Sequence, residues 1–123
     1  MVASLQDRER SAVHLTLEQT DDDRGFSVRR VLFADDGGLT IEGHDLGVGV
    51  ERFFGEGNTE YEFTRTVTAA GVGRLREVLD LDPEADLGDE LRRRFAHPGG
   101  SAELERTLKD HGIETTFWSR VGE

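Results

Sequence analysis

The chain has 123 residues, with 15 basic and 26 acidic side chains, so its formal net charge is -11. This length predicts a single domain, because domains cluster at about 100–150 residues. The negative charge opposes binding to nucleic acids and to anionic membranes, since both rely on Lys and Arg. The absence of cysteine excludes disulfides, thiol catalysis and thiolate zinc sites.

The first strand is predicted at residues 13–18. There Val13, Leu15 and Leu17 alternate with polar residues that end at Glu18. A period of two is typical of a half-buried strand, so we expect the apolar side chains on one face and Glu18 on the other.

The second strand is predicted at residues 26–34, after an acidic turn at 21–25. Its apolar side chains change parity near Arg29 and Arg30. That change predicts either a bulge or a strand that is covered on both faces. The Asp-Asp-Gly-Gly sequence at 35–38 then predicts a hairpin, because such turns need residues that tolerate positive φ.

Two further strands are predicted on either side of a glycine-rich segment. Residues 39–42 return from the hairpin, and residues 60–68 alternate cleanly between apolar and polar side chains. The glycine-rich segment at 47–57 lacks the phosphate-loop and dinucleotide-binding motifs and carries no firm prediction of secondary structure.

The second half of the chain changes to helical periodicity. Helices are predicted over residues 70–79, over residues 87–95 with Asp86 as the N-cap, and after Ser101 as the N-cap of a third helix. Gly112 falls where a left-handed residue would end that third helix in a Schellman motif.

The last strand is predicted at residues 113–121, with Phe117 and Trp118 on opposite faces. The element order predicts an α+β fold, in which an antiparallel sheet of about five strands has three short helices packed on one face. We expect the last strand to rejoin the sheet and the helices to cover the face that bears Phe117. The whole chain, residues 1–123, is predicted to be one domain, with residues 1–11 as a flexible N-terminal segment.

Several segments resemble one family of proteins: LTIEGHDLG at 39–47, EYEF at 60–63, ELRRRFA at 90–96 and HGIETTFWSRVG at 111–122. The family consists of small actinobacterial, Streptomyces-type hypothetical proteins that end in an HGIxxxFWSRxG-like motif. The resemblance covers residues 39–122, and the family often has tryptophan where this chain has Phe63. It implies a shared fold and an actinobacterial source, and it implies no activity or site residue.

The adjacent residues His44 and Asp45 are the first candidates for chemistry. An aspartate can orient a histidine base or support a metal-bound histidine. Neighbours in a strand point to opposite faces, however, so a solvated strand end with a turn carboxylate gives the same pattern. The four histidines of the chain do not follow the spacing of known metal motifs, so we expect no metal site and no cofactor.

A carboxylate pair is the second candidate. Glu60 and Glu62 share one face of their predicted strand, about 7 Å apart, and Tyr61 lies between them on the other face. Paired carboxylates can divide acid and base roles, whereas an exposed polar sheet face gives the same pattern without any chemistry.

The third candidate is Trp118 with Arg120, two residues that share the face opposite Phe117. Trp and Arg are the residue types most enriched in binding hot spots, whereas a covered second face would make Trp118 a core residue instead. The side chains that we predict to contact a partner or ligand are therefore Trp118, Arg120, Tyr61, His44, Asp45, Glu60 and Glu62. We expect no catalytic residue, because neither a nucleophile elbow nor the residue order of a catalytic triad is present.

The leading interpretation is a non-enzymatic, acidic protein-binding module of the inhibitor or immunity type, whose charge suits a basic partner. One alternative is a small-molecule-binding protein or minor enzyme, with a pocket between sheet and helices that is lined by His44, Asp45, Glu60 and Tyr61. A second alternative is a structural protein that forms a homodimer through the Trp118 face. The N-terminal sequence lacks an apolar signal segment, so we expect a cytoplasmic protein.

Overall fold

The structure is a computed structural model that describes residues 13–122. The predicted flexible segment, residues 1–11, lies outside the described residues. In chain order the described elements are β1 (Val13–Asp22), β2 (Gly25–Phe33), β3 (Leu39–Leu46), α1 (Val48–Phe54), β4 (Glu60–Val67), α2 (Ala69–Val78), α3 (Leu87–Phe95), α4 (Gly100–Asp110) and β5 (Thr116–Gly122). No helix in this part of the chain is long and apolar enough to cross a membrane.

The strands form one sheet in the order β1-β2-β3-β4-β5, and every neighbouring pair is antiparallel. Three helices separate β4 from β5 in the chain, yet β5 returns to pair with β4. The predicted α+β fold, with about five antiparallel strands and a returning last strand, is confirmed.

The number of helices differs from the prediction, because the described residues form four rather than three. The additional helix, α1, lies in the glycine-rich segment. Val50, Phe53 and Phe54 follow the i, i+3, i+4 spacing of an amphipathic helix. Gly47 and Gly55 flank α1 with φ of 113° and 108°. Two of the glycines that prevented a firm prediction for this segment are therefore the boundaries of the helix.

The helices α2, α3 and α4 cover one face of the sheet, which we call the helix face. The residues buried between these helices and the sheet form a continuous apolar core that includes Leu15, Leu17, Val31, Leu39, Ile41, Val67, Leu75, Leu91, Leu104 and Leu108. We call the opposite face of the sheet the second face.

The parity change in β2 arises because this strand is apolar on both faces. β2 pairs with β3 without a register shift from Phe26 to Phe33. Val31 is therefore on the helix face and Val28 on the second face, and both are buried. The bulge is in the neighbouring strand β1, where the register shifts between Thr16 and Glu18.

This shift places Glu18 on the helix face, opposite Arg29, so its predicted position on the polar face is wrong. Its carboxylate accepts hydrogen bonds from the backbone N–H groups of Gly99 and Ser101, at 2.9 and 3.0 Å. Burial raises the pKa of Glu18, but these hydrogen bonds outweigh that effect and bring its pKa below the ordinary value. Glu18 thus supplies the negative charge that the N-terminus of α4 favours.

The ends of the helices partly follow the predictions. Asp86 caps α3 by accepting a hydrogen bond from the backbone N–H of Asp89 at 2.9 Å, as predicted. α4 begins at Gly100, so Ser101 lies inside its first turn and is not the N-cap. The Schellman ending is confirmed, because Gly112 has φ 67° and the Ile113 N–H donates to the Leu108 carbonyl at 2.9 Å.

Candidate functional site

The fold divides the predicted binding residues between the two faces of the sheet. Asp45 pairs with Tyr61 on the helix face, whereas His44 pairs with Glu62 on the second face. The remaining predicted residues on the second face are Glu60, Trp118 and Arg120. The four residues that the sequence predicts around one pocket, His44, Asp45, Glu60 and Tyr61, are therefore divided into two groups on opposite faces.

On the second face, four predicted residues form a network of ion pairs. His44 Nε2 lies 2.7 Å from Glu60 Oε2, and the Arg120 guanidinium lies 3.1 Å from Glu60 Oε1. Arg120 Nε also donates to Glu62 Oε1 at 3.1 Å. The hydrogen bonds from His44 and then from Arg120 lower the pKa of Glu60, and the bonds to Glu62 and then to Glu60 raise the pKa of Arg120.

This network resembles a metal site in one respect, because ligand atoms of His44, Glu60 and Glu62 all lie within 4.8 Å of one another. The guanidinium of Arg120, however, already bonds both carboxylates. A divalent cation would have to displace it. The function that the contacts support directly is to hold β5 against β4.

Trp118 lies on the same face, opposite Thr64 of β4. It is 50% exposed, so it is not a core residue. Its neighbours on the other face of β5, Phe117 and Val121, are also exposed to a similar degree. The last strand therefore presents apolar side chains on both of its faces.

The helices α2, α3 and α4 do not cover the whole helix face of the sheet, and a pocket lies at the uncovered end. The helices bury the end of the sheet that holds Leu39 and Val67, whereas the opposite end borders a pocket of about 550 Å³. The pocket lies between α1 and the β1–β2 turn, and its lining includes Phe26, Ser27, Asp45, Phe53, Phe54 and Tyr61. Its volume is within the range of small-molecule sites.

Glycines bring the two walls of the pocket together. The Gly49 N–H donates to the Arg24 carbonyl at 2.8 Å, which joins α1 to the β1–β2 turn. A Cβ atom on Gly25 would clash with the carbonyl oxygen of Leu46. The glycines in this region therefore permit a close backbone approach.

The polar side of the pocket is built on Asp45. Arg29 Nη1 and Ser27 Oγ both donate to Asp45 Oδ1 at 2.7 Å. Burial raises the pKa of Asp45, but the hydrogen bonds from Arg29 and Ser27 outweigh that effect and lower its pKa overall. Asp45 is therefore an ionised acceptor in a fixed position, with its charge balanced by Arg29.

The apolar side of the pocket belongs to a longer row of aromatic rings, which we call the aromatic strip. Successive ring centroids are 4.8 to 5.9 Å apart along Phe53, Phe54, Tyr61, Phe63 and Phe117. Arg29 lies over the Phe63 ring at 5.1 Å and Arg65 over the Phe117 ring at 4.6 Å. These distances are typical of cation–π pairs. The strip thus connects the pocket to β5.

The large apolar side chains that the described residues expose fall into two groups. One group surrounds α1 and consists of Leu46, Val48, Phe53 and Phe54, which we call the α1 surface. The other group is on β5 and consists of Phe117, Trp118 and Val121. Phe53 stands out because 82% of it is exposed.

Sequence reasoning missed the α1 surface and the Arg29–Asp45 pair. The spacing of Val50, Phe53 and Phe54 was a usable signal for α1, although the glycines around it obscured that signal. Nothing local indicates that Arg29 meets Asp45, because the contact depends on how β2 pairs with β3.

Comparisons of the chain with protein-family models, with curated proteins and with solved structures give no match.

Proposed function

We propose that this protein is a non-enzymatic, acidic protein-binding module of the inhibitor or immunity type, and that a basic partner binds at the α1 surface. The observation that carries this proposal is the exposure of Phe53, 82% of which is accessible at the rim of a pocket. Aromatic side chains beside a pocket are typical of the hot spots that dominate protein–protein affinity. A cytoplasmic location is part of the same proposal.

Charge around the α1 surface supports a basic partner. Residues 20–25 and 46–57, which form the pocket walls, contain five acidic side chains and two basic ones. Asp22 lines the pocket itself. The net charge of -11 for the whole chain adds a long-range field of the same sign, which speeds association with a cationic protein.

Affinity capture from the native cytosol tests this proposal. The immobilised wild-type protein is compared with Phe53→Ala and with a matched control, Trp118→Ala, which removes another exposed aromatic ring. We expect Phe53→Ala to weaken partner binding by about tenfold or more and Trp118→Ala to leave it unchanged. Binding should also weaken as salt rises to about 0.5 M. A partner whose binding changes neither with Phe53→Ala nor with salt contradicts the proposal.

A second candidate function is small-molecule binding, which the pocket itself favours. Its volume of about 550 Å³, with aromatic rings and a few polar side chains in its lining, is typical of ligand sites. A planar ligand could stack against the rings of Phe54 and Tyr61, which are 5.0 Å apart, and hydrogen-bond to Ser27 or Asp45.

Native mass spectrometry of the protein after incubation with a cytosolic metabolite extract tests this second function. We expect a bound small molecule in the wild type and in a Trp118→Ala control, and its loss in Phe54→Ala. A protein that retains the ligand in Phe54→Ala, or that binds nothing from the extract, contradicts a ligand site in this pocket.

A further inference from the structure

We infer that β5 pairs with β5 of a second copy of this chain, antiparallel and centred on Ser119. The result is a two-fold dimer in which both sheets join into one sheet of ten strands. The strand order leaves β5 as an edge of the sheet formed by residues 13–122. Residues 116–121 of this edge are all exposed.

The chemistry of β5 favours the addition of a strand. Edge strands are usually protected by charges, by proline or by a bulge. The sequence of β5, TFWSRVG, has no proline and no acidic residue, and its pairing with β4 shows no register shift. Its one charge, Arg120, is bonded to Glu60 and Glu62 on the inner side. Nothing in the strand itself therefore repels a second strand.

The side chains of β5 are complementary to themselves in one register. Ser119 is the midpoint of the seven residues Thr116–Gly122, so a two-fold axis there pairs every residue of the strand. Phe117 then lies opposite Val121 of the partner subunit, and Trp118 lies opposite Arg120 of the partner subunit. Each pair occurs twice, and each brings an apolar or cation–π contact to side chains that are exposed in the single chain.

Neighbouring two-fold registers are less favourable. An axis at Arg120 would place two arginines directly opposite each other, and like charges in that position are destabilising. An axis at Trp118 would place Val121 opposite Thr115 of the partner subunit, which is outside β5. Ser119 is therefore the centre that the strand favours.

Salt distinguishes this contact from the proposed partner site. Each copy carries a net charge of -11, so the two subunits repel each other at long range. Added salt screens that repulsion and should strengthen the dimer, whereas it weakens binding of a basic partner. The α1 surface and β5 share no residue, and the buried ring of Phe63 lies between them in the aromatic strip.

Cysteine crosslinking tests the register, because the chain contains no cysteine of its own. Ser119→Cys places a thiol beside its counterpart across the axis, within the 4.4–6.8 Å between Cα atoms that a disulfide requires. Thr116→Cys on the same exposed strand is the matched control, since its counterpart would be about 20 Å away. We expect mild oxidation to link Ser119→Cys into a dimer and to leave Thr116→Cys monomeric.

Sedimentation of the wild-type protein provides an independent measurement. We expect its mass to rise from 13.7 kDa toward twice that value with concentration, and to do so at lower concentration in high salt. Val121→Glu should restore the monomer, because it puts a negative charge opposite the negative face of the Phe117 ring and adds to the repulsion between the two acidic subunits. A wild type that stays monomeric at millimolar concentration in high salt overturns the inference. Equal crosslinking of both cysteine variants, or crosslinking of Thr116→Cys alone, also overturns it, whatever the α1 surface binds.

Discussion

The two edge strands of the described sheet are used in different ways. β1 buries Leu15 and Leu17 under the helices, contains a register shift and ends in the acidic pair Asp21 and Asp22. β5 buries none of its residues and contains no acidic side chain. β1 is therefore part of the core and is protected against pairing with another strand, whereas β5 has no such protection.

The helices account for this difference. α3 and α4 contact β1, and backbone N–H groups at the N-terminus of α4 donate hydrogen bonds to Glu18 on that strand. β5 makes its main contacts with β4 instead. Its side chains are held by Arg120 on the second face and by the ring of Phe63 against Phe117 on the helix face. The edge that the helices leave uncovered keeps residues 116–121 exposed.

The largest expected effect contrasts a buried side chain of β1 with an exposed side chain of β5. Leu17→Ala in β1 should lower the free energy of unfolding by about 3 kcal/mol, because Leu17 is 4% exposed and its loss leaves a cavity. Val121→Ala in β5 is the matched control and should change the free energy of unfolding by less than about 0.5 kcal/mol at protein concentrations at which the chain is monomeric. Denaturant unfolding measures both. Equal costs would show that β5 is as well integrated into the core as β1.

A second prediction concerns the contact between β1 and α4. Glu18→Gln should lower the free energy of unfolding at neutral pH by about 2 kcal/mol, because it removes a charged acceptor of two backbone hydrogen bonds. The pKa of Glu18 is lowered in the folded state, so its stabilisation is complete above the ordinary value of 4.5. It is lost as the pH falls through the folded value.

The pH dependence provides the control for that prediction. Unfolding of the wild type and of Glu18→Gln should be compared at neutral pH and in acid. The difference between them should shrink toward acid, where the wild-type carboxyl is protonated. A difference that is constant across this range would mean that the charge of Glu18 does not stabilise α4.

The smallest predicted effect concerns the turn that leads from α4 into β5. Gly112→Val should lower the free energy of unfolding by about 1–2 kcal/mol, because it forces a β-branched residue into a left-handed conformation. No atom outside Gly112 and its two chain neighbours lies within 4 Å of the position that a Cβ would take, so the cost comes from the local backbone conformation and not from packing. Gly112→Asn, which tolerates this conformation, should cost less. An unchanged denaturant midpoint for Gly112→Val would contradict the role of this turn.

Features that depend on neighbouring residues were predictable from the sequence. The stripe of Leu87, Leu91 and Phe95 predicted α3, and all three side chains are buried. Asp86 was predicted to cap the start of α3, and Gly112 was predicted to follow the end of α4. Both predictions were possible because a cap is a local interaction between a residue and the adjacent turn. The same reasoning failed for Ser101, because Glu18, a residue far away in the chain, satisfies the start of α4.

The candidate site was predictable only in part, because most of its contacts join residues that are far apart in the chain. Alternation along a strand correctly placed His44 and Asp45 on opposite faces. It could not show that Arg120 would join Glu60 and Glu62, because that contact needs the register between β4 and β5. The sequence analysis placed Asp45 and Tyr61 at a pocket, but it missed the walls that come from α1 and from the β1–β2 turn.

Periodicity, turn chemistry and charge were thus enough to establish the α+β class, the returning last strand, the Schellman turn and the acidic character of the chain. Tertiary structure decided which side Glu18 occupies, which polar residues meet, where the pocket lies and that Trp118 is half exposed. The physical reason is the range of the interactions. Backbone conformation follows from contacts within a few residues, whereas a binding surface follows from strand register and from which faces the helices leave uncovered.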